Sequence, residues 1–316
     1  GSGNLTIGGS GTVDANQGTT GTGAGWSNFS GKVTVNSGAT LRGVGTSAFA
    51  WGTSTASDAI TLNGGTWATG GTLVGAVGNW TWSNPVTLAA STTSYLDNMN
   101  LAGTGRTLTL SGVISGSGNL ELKNTSAIND TGFRYIFSGT NTYSGATTLN
   151  GTSRTVELTG SIGTTAGAKS PFGTGSVTAN SATVRVQAGS TSNAMSVANN
   201  FNLNNSTFIA DDGVVTYGGN FTLTGANTVN VRWSGKNAIL NGVIQDGASA
   251  GGFTKITAST SCQHLHRRHH QHRRQYLRFQ LQRPRHRTRH PRWRDPLLQS
   301  DHRRRNLDGL LDPHAQ

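Results

Sequence analysis

Short runs in which two apolar residues flank a polar one recur along residues 1–257: Val33-Thr34-Val35, Ile60-Thr61-Leu62, Val86-Thr87-Leu88, Leu108-Thr109-Leu110, Leu120-Glu121-Leu122, Val184-Arg185-Val186, Phe221-Thr222-Leu223 and Val229-Asn230-Val231. An extended backbone sends alternate side chains to opposite faces. Each run therefore reads as a strand with one face buried and one face wet. Asn-Ser-Gly, Asn-Gly-Gly and Asn-Gly-Thr clusters separate the runs, and these residues tolerate positive φ and sharp turns. No apolar 3,4 spacing long enough for a sizeable helix interrupts the pattern, so the chain is expected to be all-β.

The runs resemble one another. Gly31-Lys32-Val33-Thr34-Val35-Asn36-Ser37-Gly38 matches Gly175-Ser176-Val177-Thr178-Ala179-Asn180-Ser181-Ala182. Ile60-Thr61-Leu62-Asn63-Gly64 matches Thr147-Thr148-Leu149-Asn150-Gly151, and Leu110-Ser111-Gly112-Val113-Ile114 matches Leu240-Asn241-Gly242-Val243-Ile244. Repeated strand-corner-strand units predict a parallel β-helix, or β-solenoid, of roughly 20–30 residues per coil. Each coil buries its inward residues only against the coils above and below. A β-sandwich also uses short strands and turn clusters, but it does not require internal copies of one unit.

Charge divides the chain near Ala258. Residues 1–257 hold eleven basic and nine acidic residues, while residues 258–316 hold fourteen basic and four acidic ones. All nine histidines and the single cysteine, Cys262, lie in the second part, and of the 45 glycines only Gly309 does. The formal net charge of +12 is thus mostly a property of the tail. With no cysteine before residue 258, stability must come from hydrogen-bonded sheet and a long narrow core rather than from disulfides. No apolar stretch approaches the ~20 residues of a membrane span. The chain opens inside a repeat, at Gly1-Ser2-Gly3-Asn4-Leu5-Thr6, as expected of a piece of a longer protein.

Ser115-Gly116-Ser117-Gly118-Asn119-Leu120-Glu121-Leu122-Lys123 leads into Phe137-Ser138-Gly139-Thr140-Asn141-Thr142-Tyr143-Ser144-Gly145-Ala146-Thr147-Thr148-Leu149, and then into Phe172-Gly173-Thr174-Gly175-Ser176-Val177-Thr178. This succession resembles the autotransporter-associated β-strand repeat, with its pattern SGxGxLxK, LSGxNTYTGxTT and LGTGxVT. Residues 124–136 depart from the pattern by insertion. The resemblance covers most of residues 1–257, and its strongest part is the Asn141–Thr148 block. It implies a passenger segment displayed on the bacterial cell surface as a β-helical stalk, associated with the outer membrane and structural or adhesive in role, without catalysis or cofactor.

The tail reads as the same text out of frame. Gln263-His264-Leu265-His266-Arg267-Arg268-His269-His270 can be encoded CAR CAY CTN CAY CGN CGN CAY CAY. Read one base later, those codons allow the repeat string NTYTGATT at every position, and the body's own Asn141 to Thr148 at all but Ser144. Residues Arg283 to Pro296, shifted the same way, allow ALGTGPVTLGGGTL, the next part of the repeat in the right order. The reading frame is therefore expected to slip by one base between about Lys255 and Gln263. The predicted domains are a β-solenoid over 1–257 and a frameshifted, disordered or poorly ordered basic tail over 258–316. A peptide rich in charge and poor in apolar residues has little means of burying a core.

Several groups invite a chemical reading. The Arg267-Arg268-His269-His270-Gln271-His272-Arg273-Arg274 run suits phosphates or metal, but a tract without fixed geometry gives only non-specific binding. Nucleic-acid recognition by the tail is an alternative function that an open second frame would remove, and no specific nucleic-acid partner is expected. Residues 1–257 contain no His or Cys, hence no imidazole base and no thiol nucleophile. A polysaccharide-binding or polysaccharide-cleaving β-helix remains the other alternative, and cleavage requires convergent carboxylates. Asp211-Asp212 is the one adjacent pair, read here as a solvated turn before Gly213. Trp80 and Trp82 fall on one face if extended. They form either an exposed platform for sugar rings or a packed aromatic step, and Trp51, Trp67 and Trp233 carry the same two readings. Asn36, Asn63, Asn150 and Asn180 are candidates for a side-chain ladder at the corners. Asn4-Leu5-Thr6 and Asn28-Phe29-Ser30 fit a glycosylation sequon, as an Asn/Thr-rich chain often does. Partners expected are extracellular surfaces or polysaccharide, and self-association through the solenoid ends, where strand edges are open.

Overall fold

The computed structural model describes residues 2–16, 29–44, 56, 58–70, 79–99, 105–126, 132–151, 156–163, 166–189, 194–211, 213–232, 237–257 and 277–278. The expected disorder of the tail, and nearly all of 258–316, lie outside the described residues. Every described element is a strand, and the body is a parallel β-solenoid. All eight apolar-polar-apolar runs lie in strands with the flanking apolar residues buried.

The chain passes repeatedly through the same faces. The first is a five-stranded parallel ladder of Leu5–Ile7, Val33–Asn36, Ile60–Asn63, Val86–Leu88 and Ile114–Gly116. The second runs from Thr12–Asn16 through Thr40–Val44, Thr66–Thr69, Thr93–Asn98, Asn119–Asn124, Thr147–Asn150 and Val177–Asn180 to Phe201–Asn204. The third runs from Trp80–Trp82 through Thr107–Leu110, Arg134–Phe137, Glu157–Ser161 and Thr183–Gln187 to Thr207–Asp211. Phe221–Val231 belongs to both of these, bending at Gly225 (φ 68), so that together with Ile244–Thr257 they form one sixteen-stranded sheet. Ile244–Thr257 pairs along both halves, with a register shift between Leu223 and Gly225. A fourth ladder stacks Gly167–Lys169, Ala194–Val197, Val214–Tyr217 and Asn237–Leu240 in parallel. Leu277–Arg278 then adds to it antiparallel.

Registers bring chemically like residues into columns. Leu41, Trp67, Leu96, Leu122, Leu149, Ala179, Leu203 and Leu223 succeed one another on the second face, all buried. Leu108, Tyr135, Leu158, Val184, Phe208 and Val229 do the same on the third. Burying a Leu or Val side chain contributes about 1.5–3 kcal/mol, and the column repeats that gain at each coil. Phe201, Phe208, Tyr217 and Phe221 meet edge-on or stacked, with centroids 5.0–6.3 Å apart, where the columns of the later coils converge.

Coil length changes along the chain, and the corners account for it. Bonded partners in successive coils are 28 residues apart at Arg42 and Asp14, and 20 apart at Asn220 and Asn200. In the early coils the tight corner joins the first face to the second, as at Asn36-Ser37-Gly38 (Gly38 φ 82). In the later coils it joins the second to the third, with Ser181 (φ 49), Asn205 (φ 48) and Gly225 in left-handed conformations. The corner asparagines consequently form two ladders instead of one. Asn63 Nδ2 donates to Asn36 Oδ1 at 2.9 Å on one corner, and Asn180 Nδ2 to Asn150 Oδ1 at 2.8 Å on the other.

Candidate functional site

The two indoles singled out as a sugar platform belong to the core. Trp80 and Trp82 open the third face and are 3% and 1% exposed. The Trp82 ring stacks on Trp67 at 3.9 Å and 19° between planes, and the Arg106 guanidinium lies 5.6 Å from the Trp80 ring centroid. Rings buried this far leave no face for a saccharide, so the packed aromatic step is the arrangement found. Trp51 and Trp233 lie outside the described residues.

The carboxylates are spread among local partners. Asp14 takes a two-pronged contact from Arg42 at 2.7 Å, and Asp58 pairs with Lys32 at 2.6 Å. Hydrogen bonding to Lys32 holds the Asp58 carboxyl below the usual range. Asp97 accepts from the Thr125 amide at 3.0 Å and the Thr125 hydroxyl at 2.8 Å, while burial pushes its pKa up. Glu121 accepts from Asn150 Nδ2, and Asp246 from the Gly251 amide.

Asp211 is not in a solvated turn. It is buried, and Arg185 Nη1 reaches its Oδ2 at 2.9 Å, with Arg232 Nη1 at 3.3 Å from the same oxygen. Arg185 Nε pairs with Glu157 at 2.9 Å. Phe208 and Ala210 join the core, so Asp211 lies on the outer side of the strand with Arg185, and the pairing of Gln187 with Asp211 brings the two side chains together. No signal in the sequence announces that ion pair, because its members are 26 residues apart. Asp212 lies outside the described residues. Glu157 and Asp211 flank one guanidinium, so they make a charge clamp and leave no room for a reacting bond between them.

One shallow groove of about 530 Å³ lies on the outer side of the second face, lined by Ser37, Thr66, Thr93, Tyr95 and Lys123 among others. Tyr95 pairs in register with Thr66 and Glu121. Lys123 Nζ sits 3.5 Å from the Tyr95 ring centroid, which occupies the ring face a sugar would need. The groove offers hydroxyls and one ammonium, a set suited to loose contact with polar polymers. Among the described residues no group of three His, Cys, Asp or Glu side chains is gathered as for a metal, and no helix is long and apolar enough to cross a membrane. Of the two sequons, Asn4 turns its Oδ1 to the Lys32 amide at 3.1 Å, and Asn28 lies outside the described residues.

Sequence reasoning missed the polar staples that link coils. Asn141 is buried, accepting from the Ile114 amide at 2.8 Å and donating to the Pro171 carbonyl at 2.6 Å. Asn119, Asn200 and Asn220 each accept an amide of the next coil. Such residues read as turn formers in sequence, and only the stacking shows that they bridge. No protein family, no curated protein and no solved structure matches the chain.

Proposed function

We propose that residues 1–257 are a structural or adhesive passenger segment of a bacterial surface protein, outside the cell and without catalysis. The observation that carries this reading is the use made of polar side chains. Each described carboxylate is taken up by a cation, a hydroxyl or an amide of a neighbouring strand or turn. The asparagine and Thr/Ser side chains are spent in the same way, as Asn63 with Asn36 and Thr87 with Ser115. A solenoid built so is a scaffold whose outer Thr, Ser and Asn surface meets its surroundings over many coils rather than at one pocket. The motif succession from Ser115 to Thr178 supports placing it among autotransporter-associated repeats. The groove at Tyr95 and Lys123 offers hydroxyls and one ammonium for loose polar contact with extracellular polysaccharide, without stacking on the ring.

Protease treatment of intact cells of the encoding organism, followed by antibody detection of the solenoid, tests the location. Loss of the signal while a cytoplasmic control survives is expected. A solenoid protected until the cells are lysed would exclude surface display.

A further inference from the structure

A column of glycines runs up one corner of the solenoid. A Cβ added to Gly145 would stand 2.0 Å from the Gly118 carbonyl oxygen, and one on Gly175 would stand 2.0 Å from that of Gly145. The column continues through Asn199, whose Nδ2 donates to Gly175 O at 2.8 Å. It then passes to Gly219, 2.0 Å from Asn199 O on the same measure, and to Gly242, 1.9 Å from Gly219 O. Real Cβ atoms do not approach that closely, so the corner leaves no room for one at Gly145, Gly175, Gly219 or Gly242, while the Asn199 side chain is seated by its bonds to the Gly173 and Gly175 carbonyls. The members recur at the coil spacing, which ranges from 20 to 30 residues.

The string from Asn141 to Thr148 is a working corner of this column. Asn141 ties the coil of Ile114 to that of Pro171, and Thr142 and Ser144 donate backbone bonds to Ile114 and Gly116. Tyr143 is fully buried, with its hydroxyl bonded to Thr147. Asn141, Tyr143, Gly145 and Thr147 thus each have a part in the corner that depends on the residue type. The codons of residues 263–270, read one base later, allow all four types in the same order. In that reading a glycine codon is allowed at position 267, 25 residues beyond Gly242, and again at position 287, 20 residues further on. Both intervals fall within the coil spacing of the column. The second window also allows the body's own Gly173, Thr174, Gly175, Val177 and Thr178 in order.

The present edge carries signs of a missing neighbour. Ile244 and Phe253 pack against the core yet remain partly exposed, whereas Phe221 beneath them is fully buried. Among the described strands, the Leu277–Arg278 pairing on Asn237–Leu240 is the one antiparallel ladder. We infer that the edge formed by Asn237–Leu240 and Ile244–Thr257 is the seat of further coils, encoded one base out of frame by the bases now read as residues 263–296, with positions 267 and 287 as the next members of the glycine column.

Two measurements test this. The first is the DNA between codons 250 and 300. An open second frame with glycine codons at 267 and 287 is expected, and a stop codon or any other residue at either position overturns the assignment. The second compares the full chain as written with the full chain after removal of one base upstream of codon 263, by amide hydrogen exchange. Exchange at Ile244–Thr257 is expected to slow at least tenfold in the corrected chain, while Val177–Asn180 stays protected in both. Unchanged exchange at 244–257 counts against the inference. So does lost protection at 177–180 in the corrected chain, since a coil that belongs on this edge does not undo those beneath it.

Discussion

At Gly145 the methyl of an alanine would be pressed against the carbonyl of Gly118, and the backbone on both sides is held by bonds from Ser144 to Gly116 and Thr147 to Ser176. Neither coil can yield without breaking rungs. Gly145→Ala is therefore expected to destabilise by about 1–3 kcal/mol, the usual cost of overpacking. Gly11 is a contrasting case. Nothing lies within 4 Å of its added Cβ and its φ is not positive, so Gly11→Ala is expected to be neutral or to stabilise by about 0.4–1 kcal/mol through the unfolded chain. Urea denaturation of the two variants checks both signs. Equal effects would mean that the corner is looser than its carbonyl contacts imply. The sequence displayed these glycines among 45, with nothing to separate the column from the turns. The distinction is one of close approach between coils, a property of the stack and not of the local chain.

Elements were legible where period two was strong and silent where charges bonded across coils. Val184-Arg185-Val186 reads as a strand with a polar outward residue, and it is one. That the residue is a buried arginine clamped by Glu157 and Asp211 follows only from the register of Glu157–Ser161, Thr183–Gln187 and Thr207–Asp211. The internal copies mislead in a different way. Val33–Asn36 lies on the first face and its copy Val177–Asn180 on the second, and Ile60–Asn63 and Thr147–Asn150 part in the same manner. Leu110 ends a third-face strand, whereas its counterpart Leu240 ends a strand of the fourth ladder. Each copied unit specifies a strand, a corner and another strand, and coil length then decides which face receives it. The charge clamp gives an element-scale expectation. Arg185→Ala leaves Glu157 without that cation and Asp211 still beside Arg232, and is expected to cost about 3 kcal/mol, the low end for a broken buried pair. Replacing the set together, as Glu157→Gln, Arg185→Met and Asp211→Asn, is expected to recover most of that loss. Urea midpoints for the single and triple variants decide the matter. An Arg185→Ala variant as stable as the parent would show that the clamp contributes nothing.

Along the whole solenoid, stability is laid down coil by coil, because each inward residue touches its own coil and the ones on either side. In such an array the energy is close to a sum of coil terms and neighbour terms. A defect should then stay local, unlike one in a sandwich whose two sheets share a single core. Leu149 is a suitable probe, fully buried and in register with Leu122 below and Ala179 above. Leu149→Ala removes a side chain whose loss from a core costs about 2–5 kcal/mol. Amide exchange is expected to quicken in Asn119–Asn124, Thr147–Asn150 and Val177–Asn180. It should remain unaltered in Val33–Asn36, four coils below, and in Val214–Tyr217, two coils above. If exchange instead rose evenly over all of these strands, opening would be global, and the nearest-neighbour account of this fold would have to give way to a single cooperative core.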